Sequence, residues 1–264
     1  MRIAAVQMVS TPDVARNLAT ARHLLEEAAG RGASIAALPE YFCFMGQLDT
    51  DKRALAEDEG DGPIQAMLAQ AARELGLWII GGTVPLRGEG RDKLRNSCLV
   101  FSPEGRAAAR YDKIHLFCFD NGRERYDEGR VLEPGSRAVA VETAGLRCGL
   151  SVCYDLRFPE LYRALGPCDL ISVPSAFTYT TGEKHWELLL RARAVENQCY
   201  VIAAAQGGRH ENGRRTWGHS MVVDPWGEML ACVPEGEGLA VAEFDPQRLR
   251  QVREQLPALQ HRVF

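Results

Sequence analysis

The sequence has no large excess of charge of either sign and no long apolar run. Its 31 lysines and arginines stand against 35 aspartates and glutamates, for a net charge of −4. A nucleic-acid-binding domain, or a protein bound to an anionic membrane, usually has an excess of basic residues, and this sequence has none. No apolar run approaches the roughly 20 residues that a membrane-spanning helix needs. We therefore expect neither a nucleic-acid partner nor a membrane partner.

The sequence also lacks a charged leader followed by an apolar signal segment, because the strand-like residues 2–8 come directly after Met1. A cytoplasmic location is therefore predicted. The eight cysteines form no CxxC pair and no Cys/His cluster with zinc spacing, so no metal site is predicted. In a reducing compartment, the default interpretation of each thiol is a small core residue. Cys153 is the one exception.

Helix and strand patterns alternate along the chain. Asp13 is a plausible cap for a helix over 14–29, and Pro63 and Gly76 bracket a helix over 63–75. Further helices are predicted over 159–165, 184–197 and 246–256. Predicted strands cover 2–8, 34–38, 78–84, 96–101, 106–113, 139–143, 146–152, 170–173, 200–205, 220–223, 228–233 and 239–244. Residues 114–135 are predicted to form a long loop.

The order of these elements predicts an α/β fold. No linker, repeat or low-complexity segment interrupts the chain, so residues 1–264 are predicted to form a single domain. Hairpins mixed with crossover helices predict mixed sheets covered by helices. About twelve strands are expected for this length, which is too many for one open sheet. Two stacked sheets are therefore predicted.

Three of the predicted strands end at a reactive side chain. The apolar run 149–152 stops at the thiol of Cys153, residues 34–38 lead to Glu40, and residues 107–112 lead to Lys113. A side chain at a strand tip can reach a cleft while the sheet fixes its backbone. The sequence therefore predicts one composite catalytic site built from an acid, an amine and a thiol.

These three groups together could carry out acyl transfer. A thiol with a pKa of about 8.5 is mostly protonated at neutral pH and needs a base or a nearby positive charge. Glu40 would take its proton, Cys153 would attack a carbonyl carbon, and Lys113 would stabilise the oxyanion together with the Tyr154 N–H. Glu40 would then protonate the departing nitrogen and activate the water that hydrolyses the thioester.

Each residue also has an ordinary structural interpretation. A glutamate after a proline is usually a solvated turn residue, a lysine usually lies at the surface, and a lone buried cysteine is usually inert. A Cys–His dyad is a less favoured alternative, because its three candidate histidines have no distinguishing pattern; they are His115, His185 and His219. A non-catalytic scaffold on the same fold is the alternative from another class.

The flanks of the three residues decide between these interpretations. The segments LPE at 38–40, YDKIHL at 111–116 and CYDLRFPE at 153–160 resemble the nitrilase superfamily of carbon–nitrogen hydrolases, and the resemblance extends over essentially the whole chain. It implies a four-layer α-β-β-α sandwich of two stacked mixed sheets and an amidase without a cofactor. It also implies a triad, in which Glu40 accepts the proton, Lys113 donates a proton and stabilises the oxyanion, and Cys153 is the nucleophile.

Two further expectations come from the same resemblance. Many members carry a second glutamate in the loop after the lysine, and here Glu124 and Glu128 compete for that position. Glu128 is preferred for its distance from residues 134–135, and it is expected to orient Lys113 and the substrate. A homodimer or higher homo-oligomer is also implied.

A narrower resemblance suggests the substrate. Residues 174–177, 185–201, 218–227 and 256–262 are similar to the deaminated-glutathione amidase branch, whereas 118–127 depart from its pattern. That branch converts deaminated glutathione into 2-oxoglutarate and cysteinylglycine. The alternatives are an ω-amidase that acts on 2-oxoglutaramate and an N-carbamoyl amide hydrolase.

An anionic substrate of this kind needs a cationic partner, and Arg157 is the first candidate. Tyr154 is a second predicted contact. Tyr41 and Phe177 are expected to shape the pocket, with plain core aromatics as the alternative. The helix over 184–197 is predicted to pair Glu187 with Arg191 and to bury an apolar stripe made of Trp186, Leu189, Leu190 and Val195.

Overall fold

A computed structural model describes residues 1–89 and 92–263 of the chain. The α-helices in this part are α1 (Val14–Gly30), α2 (Pro63–Leu75), α3 (Pro159–Ala164), α4 (Tyr179–Asn197) and α5 (Pro246–Gln255). Short 3-10 helices cover Asp49–Leu55, Glu128–Arg130, Cys153–Arg157 and Ala258–His261. Within the described ranges, none of the helices combines the length and the apolar character required to cross a bilayer.

Seventeen strands occur in the described part of the chain. In chain order they are β1 (Arg2–Gln7), β2 (Ala33–Ala37), β3 (Trp78–Ile80), β4 (Val84–Arg87), β5 (Leu94–Phe101), β6 (Ala107–Asp112), β7 (Cys118–Asp120), β8 (Arg125–Asp127), β9 (Ala140–Thr143), β10 (Leu146–Leu150), β11 (Leu170–Ser172), β12 (Tyr200–Ala203), β13 (Gly207–Arg209), β14 (Arg215–Trp217), β15 (Ser220–Val223), β16 (Met229–Val233) and β17 (Gly238–Glu243).

Most strands belong to two mixed sheets. The first sheet has the order β17-β1-β2-β3-β5-β4, with β6 also paired to β5. The second has the order β16-β15-β12-β11-β10-β9. The central strands β1, β2 and β3 are parallel, as are β10, β11 and β12, and the strands paired to their outer sides, namely β17, β5, β9 and β15, run antiparallel to them. Two hairpins, β7–β8 and β13–β14, stand outside both sheets.

The sheets stack face to face between layers of helix. In β1, Ile3 and Ala5 point towards the second sheet, whereas Ala4 and Val6 point towards α1 and α2. Helices α3 and α4 cover the outer face of the second sheet with buried side chains that include Trp186. Central strands buried on both faces read as continuous apolar runs, which is how β1 and β2 were recognisable in the sequence. The predicted α-β-β-α sandwich is confirmed.

The helix signals were placed correctly where capping chemistry is strong. The side chain of Asp13 accepts a hydrogen bond from the Arg16 N–H at 3.1 Å and caps α1. Pro63 occupies the first turn of α2, and Gly76 ends it in the left-handed conformation with φ 65°. Helix α4 begins at Tyr179 instead of residue 184, because Thr178 caps it through the Thr181 N–H.

Three further predictions were wrong. The predicted strand 78–84 is two strands, since the chain turns at Gly82 with φ 56°. The predicted loop 114–135 contains the hairpin β7–β8, which its polar composition concealed. The predicted core residue Val195 is 47% exposed, because it lies on the outer side of α4, whereas Trp186 and Leu190 of the same stripe are fully buried.

Candidate active site

The three predicted reactive residues meet at one end of the stacked sheets. Glu40 lies three residues beyond β2, Lys113 follows β6 directly, and Cys153 lies three residues beyond β10. Strands β2 and β6 belong to the first sheet and β10 to the second, so the stacking itself brings their ends together. The Lys113 Nζ is 2.8 Å from the Glu40 Oε1, and all three residues are buried.

The carboxylate of Glu40 is fixed by three different donors. Besides Lys113, its Oε1 accepts a hydrogen bond from the Asn96 Nδ2 at 2.8 Å. Its Oε2 accepts one from the backbone N–H of Ala176 at 3.0 Å. A buried carboxylate is stable only when its oxygens have such partners. The orientation of Glu40 is therefore set before any ligand binds.

The ammonium of Lys113 lies between two carboxylates. Its Nζ donates to the Glu128 Oε1 at 3.0 Å and the Oε2 at 2.8 Å, in addition to Glu40. Glu128 also accepts hydrogen bonds from the Tyr41 hydroxyl at 2.8 Å and the Phe117 N–H at 2.7 Å. These contacts leave Lys113 little rotational freedom.

The two glutamates that competed in the sequence have different surroundings. Glu128, at the start of a 3-10 helix, contacts Lys113, whereas Glu124 accepts a hydrogen bond from the Thr180 hydroxyl at 2.9 Å. That second contact lies near the surface and joins the β7–β8 hairpin to α4. Of the two carboxylates, Glu128 is thus the one positioned beside the amine.

The backbone of Cys153 is strained. Its φ is +51°, a left-handed conformation that costs a non-glycine residue about 1–2 kcal/mol. The Cys153 N–H donates to the Pro174 carbonyl at 2.9 Å, and the Val152 N–H donates to the Asp155 Oδ2 at 2.9 Å. These two hydrogen bonds hold the sharp turn. Strain of this kind is concentrated at functional sites, but a cysteine gives no sequence signal for it.

Asp155 connects the segment that carries the lysine with the turn that carries the thiol. Its fully buried carboxylate accepts hydrogen bonds from the Tyr111 hydroxyl at 2.7 Å and the His115 N–H at 2.9 Å, besides Val152. The His115 Nδ1 lies 2.7 Å from the same carboxylate. One side chain thus links the residues on both sides of Lys113 to the turn that carries Cys153.

The structure does not support the alternative of a Cys–His dyad, because the three candidate histidines have other partners. His115 is held by Asp155, the His185 Nδ1 lies 3.2 Å from an Arg157 nitrogen, and the His219 Nδ1 lies 3.0 Å from the Trp217 carbonyl. Among the described residues that line the cavities at Cys153, none is a histidine.

Burial and the neighbouring charges set the protonation of the site. Burial raises the pKa of the Cys153 thiol well above its ordinary value, and Glu40 adds to this shift while Lys113 opposes it. Burial also raises the pKa of Glu40, against the effect of Lys113. Burial alone would lower the pKa of Lys113, but Glu128 and Glu40 hold it well above its ordinary value. The resting site therefore contains a protonated thiol and a charged amine beside its carboxylates.

Cys153 lines two adjoining cavities. The wide cavity has an empty volume of about 540 Å³, and its walls include Glu40, Tyr41, Glu128, Arg214 and Arg215. The narrow cavity is lined by Tyr154, Arg157, Phe177 and other residues. The predicted substrate contacts are thus divided: Tyr41 lies in the wide cavity, and the other three lie in the narrow one.

Several residues of the site were missed in the sequence. Asn96 holds Glu40, Asp155 holds the turn that carries Cys153, and Arg214 and Arg215 line the wide cavity. The two arginines follow a hairpin turn that contains Asn-Gly at 212–213, a strong hairpin signal that would have located them. No group of three or more His, Cys, Asp or Glu side chains in residues 1–89 and 92–263 is arranged to hold a metal ion.

Comparison with known proteins agrees with this geometry. The model of the carbon–nitrogen hydrolase family matches residues 2–254. A deaminated glutathione amidase from Synechocystis sp. is 42% identical, over 99% of this chain and 97% of that protein. The omega-amidase NIT2 from Xenopus tropicalis is 40% identical, over 99% of this chain and 94% of that protein.

A solved structure supports the same assignment. Nit3 from Saccharomyces cerevisiae, described as a member of branch 10 of the nitrilase superfamily, superimposes with a TM-score of 0.88 at 30% identity. The match covers all of this chain and 97% of that chain. The chain therefore belongs to the carbon–nitrogen hydrolase family, within the nitrilase superfamily, and is a hydrolase that acts on amides.

Proposed function

We propose that this enzyme hydrolyses deaminated glutathione to 2-oxoglutarate and cysteinylglycine through a thioester on Cys153. The observation that carries the reaction type is the buried ammonium of Lys113, which lies 2.8 Å from both Glu40 and Glu128, two carboxylates that line the same cavity as Cys153. The substrate is favoured by the 42% identity to the Synechocystis amidase of that name.

Acylation begins with proton transfer from the Cys153 thiol to Glu40. The sulfur attacks the amide carbon, and the developing oxyanion is stabilised by the positive charge of Lys113 and by the Tyr154 N–H, which lies in the first turn of a 3-10 helix. Glu40 then gives its proton to the amide nitrogen. The C–N bond breaks, the amine leaves, and the acyl group stays bound to sulfur.

Deacylation repeats these steps with water. Glu40 removes a proton from a water molecule, whose oxygen attacks the thioester carbon. The C–S bond breaks, the carboxylic acid leaves, and the sulfur regains its proton from Glu40. Because Glu40 acts in every proton transfer, its raised pKa suits it better to the work than an ordinary carboxylate would be.

Glu128 acts through Lys113 and is a positioning residue. Both of its oxygens hold the ammonium, and Tyr41 and Phe117 hold Glu128 in turn. The negative charge keeps Lys113 protonated in a buried place, where a lone lysine would tend to lose its proton. Glu128 therefore supports the charge that stabilises the oxyanion.

The narrow cavity suits the acyl part of the substrate. Arg157 lies at its wall, with its guanidinium carbon 5.8 Å from the ring centre of Tyr154 and 5.4 Å from that of Phe177. An acyl chain packed between these rings would direct its terminal carboxylate to Arg157. In this proposal Tyr41 shapes the wide cavity and orients Glu128.

A panel of amides tests the proposed substrate. The panel contains deaminated glutathione, 2-oxoglutaramate and an N-carbamoyl amino acid, and kcat/KM is measured for each. We expect the highest value for deaminated glutathione. The 40% identity to an omega-amidase makes 2-oxoglutaramate the second candidate. A preference for 2-oxoglutaramate would assign the enzyme to that activity, and no turnover of either would refute both.

The nucleophile is tested by Cys153→Ala. We expect no turnover and no thioester adduct in the mass spectrum, whereas Cys118→Ala, which removes an exposed thiol, should act like the unmodified enzyme. Equal activity of Cys153→Ala would leave the chain as a scaffold or require another mechanism.

The location, the oligomeric state and the partners of the enzyme are also proposals. We propose that it acts in the cytoplasm as a homo-oligomer of single-domain chains, without a metal or cofactor and without a nucleic-acid or membrane partner. The balanced charge of the sequence and the presence of free cysteines support this setting.

A further inference from the structure

The wall of the wide cavity that is built by the β13–β14 hairpin carries two permanent cations. Arg214 and Arg215 both line this cavity, and arginine keeps its charge at every pH at which proteins are folded. The Asn212 Nδ2 donates to the Gly46 carbonyl at 2.7 Å, which ties the hairpin turn to the loop after Glu40. The two guanidinium groups therefore belong to the same enclosure as the reacting groups.

The charge of Arg214 is only partly neutralised. Its Nη2 donates to the Asp49 Oδ1 at 2.8 Å, and the same oxygen lies 3.6 Å from the Lys52 Nζ. Asp49 thus contacts both basic groups, while Glu128 and Glu40 act on Lys52 from a greater distance. Burial lowers the pKa of Lys52 although Asp49 opposes the shift, and an anion bound beside it would raise that pKa again.

Arg215 has a donor that lacks an acceptor. Its Nε is buried and has no hydrogen-bond partner within the described part of the chain. Its guanidinium carbon lies 3.7 Å from the ring centre of Tyr179, and its Nη2 is 3.5 Å from a Glu235 oxygen. A buried N–H without an acceptor is costly, and Arg215 lines the cavity, so a small rotation of its guanidinium would let it donate to an anion bound there.

The position of Glu40 indicates which part of a substrate meets these cations. The nitrogen of the departing amine must accept a proton from Glu40, and Glu40 lines the wide cavity. The acyl chain then takes the narrow cavity beside Arg157. The departing amine therefore extends from Cys153 towards Arg214 and Arg215.

We propose that Arg214 and Arg215 form a subsite for the carboxylate of the departing amine, namely the terminal carboxylate of a small peptide. This assignment rests on the proposed function, since it identifies the part of the substrate that the wide cavity binds. A paired guanidinium and carboxylate give strong, directional hydrogen bonds. A primary amide releases ammonia, which has no carboxylate to bind at this subsite. The two arginines should therefore favour amides whose departing amine is a peptide over primary amides.

Turnover of two substrates tests the subsite. Arg214→Gln and Arg215→Gln should each lower kcat/KM for deaminated glutathione by roughly 10- to 100-fold, mainly through KM, and change that for 2-oxoglutaramate less than about twofold. Arg157→Gln should lower both values together. The matched control is Arg209→Gln, an exposed arginine of the same hairpin. Equal losses on both substrates, or no loss on either, would overturn the assignment.

Binding of the product gives a readout that does not depend on turnover. Cysteinylglycine is titrated calorimetrically into the Cys153→Ala protein and into the same protein carrying Arg214→Gln or Arg209→Gln. We expect binding that Arg214→Gln weakens by roughly 10- to 100-fold and that Arg209→Gln leaves intact. Absence of binding, or binding that ignores Arg214, would overturn the subsite. Failure of the unmodified enzyme to cleave either amide would instead refute the proposed function.

Discussion

Two walls of the wide cavity are built in different ways. The strand-tip wall is formed by Glu40 and Cys153, and Lys113 is buried beside Glu40, with its Nζ 2.8 Å from the Glu40 carboxylate. The hairpin wall consists of Arg214 and Arg215, whose side chains are 28% and 34% exposed and have few partners. The first wall is complete without a ligand, whereas the second has donors to spare. We infer that the strand tips determine the reaction and the hairpin determines which amide is used.

This difference gives a rule for substitutions. A change in the strand-tip wall should reduce turnover of every amide, because in the proposed mechanism every amide passes through the same proton transfers. A change in the hairpin wall should separate one amide from another. A strand-tip substitution that affected only one substrate would contradict this division of roles between the two walls.

The largest effect is expected from Glu40→Gln. The amide keeps the volume and some hydrogen bonds of the carboxylate but cannot accept the thiol proton. We expect kcat to fall by at least about 10³-fold on every amide in the panel. Glu59→Gln is the matched control, since Glu59 pairs with Arg110 at the surface, 2.6 Å apart. A loss of less than tenfold would mean that another group is the base.

Glu128→Gln should have a smaller effect and a distinct pH signature. The charge of Glu128 is one of the influences that raise the pKa of Glu40, after burial and against Lys113. Its removal lowers the pKa of Glu40, so Glu40 stays ionised to lower pH. In a kcat/KM profile from about pH 4 to 8, the acidic limb should therefore move to lower pH while kcat falls about 10- to 100-fold. A limb that moves to higher pH would contradict the assigned electrostatics.

Asp155→Asn should affect both stability and rate. An amide cannot accept all the hydrogen bonds that the carboxylate receives from both segments, so we expect a loss of about 1–3 kcal/mol in unfolding free energy. A displaced nucleophile turn should also lower kcat about tenfold at a temperature where the protein stays folded.

The matched control for this change is Asp224→Asn. Asp224 is also buried and accepts hydrogen bonds from the Trp226 and Glu228 N–H groups, both at 2.8 Å, but it lines neither of the cavities at Cys153. We expect a similar loss of stability with an unchanged kcat. If both variants lowered kcat equally, Asp155 would have only a structural role.

The smallest effect is expected from Glu187→Ala. Glu187 and Arg191 form the pair predicted from their spacing, 3.3 Å apart, with side chains about half exposed. An exposed pair of this kind contributes less than about 0.5 kcal/mol. Urea unfolding should show a change within that limit, and kcat should not change. A larger effect would show that surface residues of α4 influence the site.

The sequence was informative where function depends on local patterns. Glu40, Lys113 and Cys153 each follow a predicted strand, and the motifs around them singled them out through their resemblance to the nitrilase superfamily. Two stacked sheets followed from the number of strands. The ends of the helices could be predicted where the capping residues were characteristic, as at Asp13 and Gly76.

The remainder depends on contacts between distant segments. Arg214 reaches Asp49 across 165 residues, and no local pattern shows that the hairpin covers the cavity. The positive φ of Cys153 is imposed by Pro174 and Asp155, not by the cysteine itself. The exposed position of Val195 on the outer side of α4 also depends on how the helix rotates against the second sheet.

The protonated state of the resting Cys153 thiol affects its reactivity towards peroxides. Peroxides attack thiolates, and susceptibility to sulfenic acid formation follows thiolate character and exposure. Burial raises the pKa of the Cys153 thiol, so in the proposed mechanism the sulfur loses its proton when Glu40 takes it. We therefore expect the resting thiol of Cys153 to react slowly with peroxides.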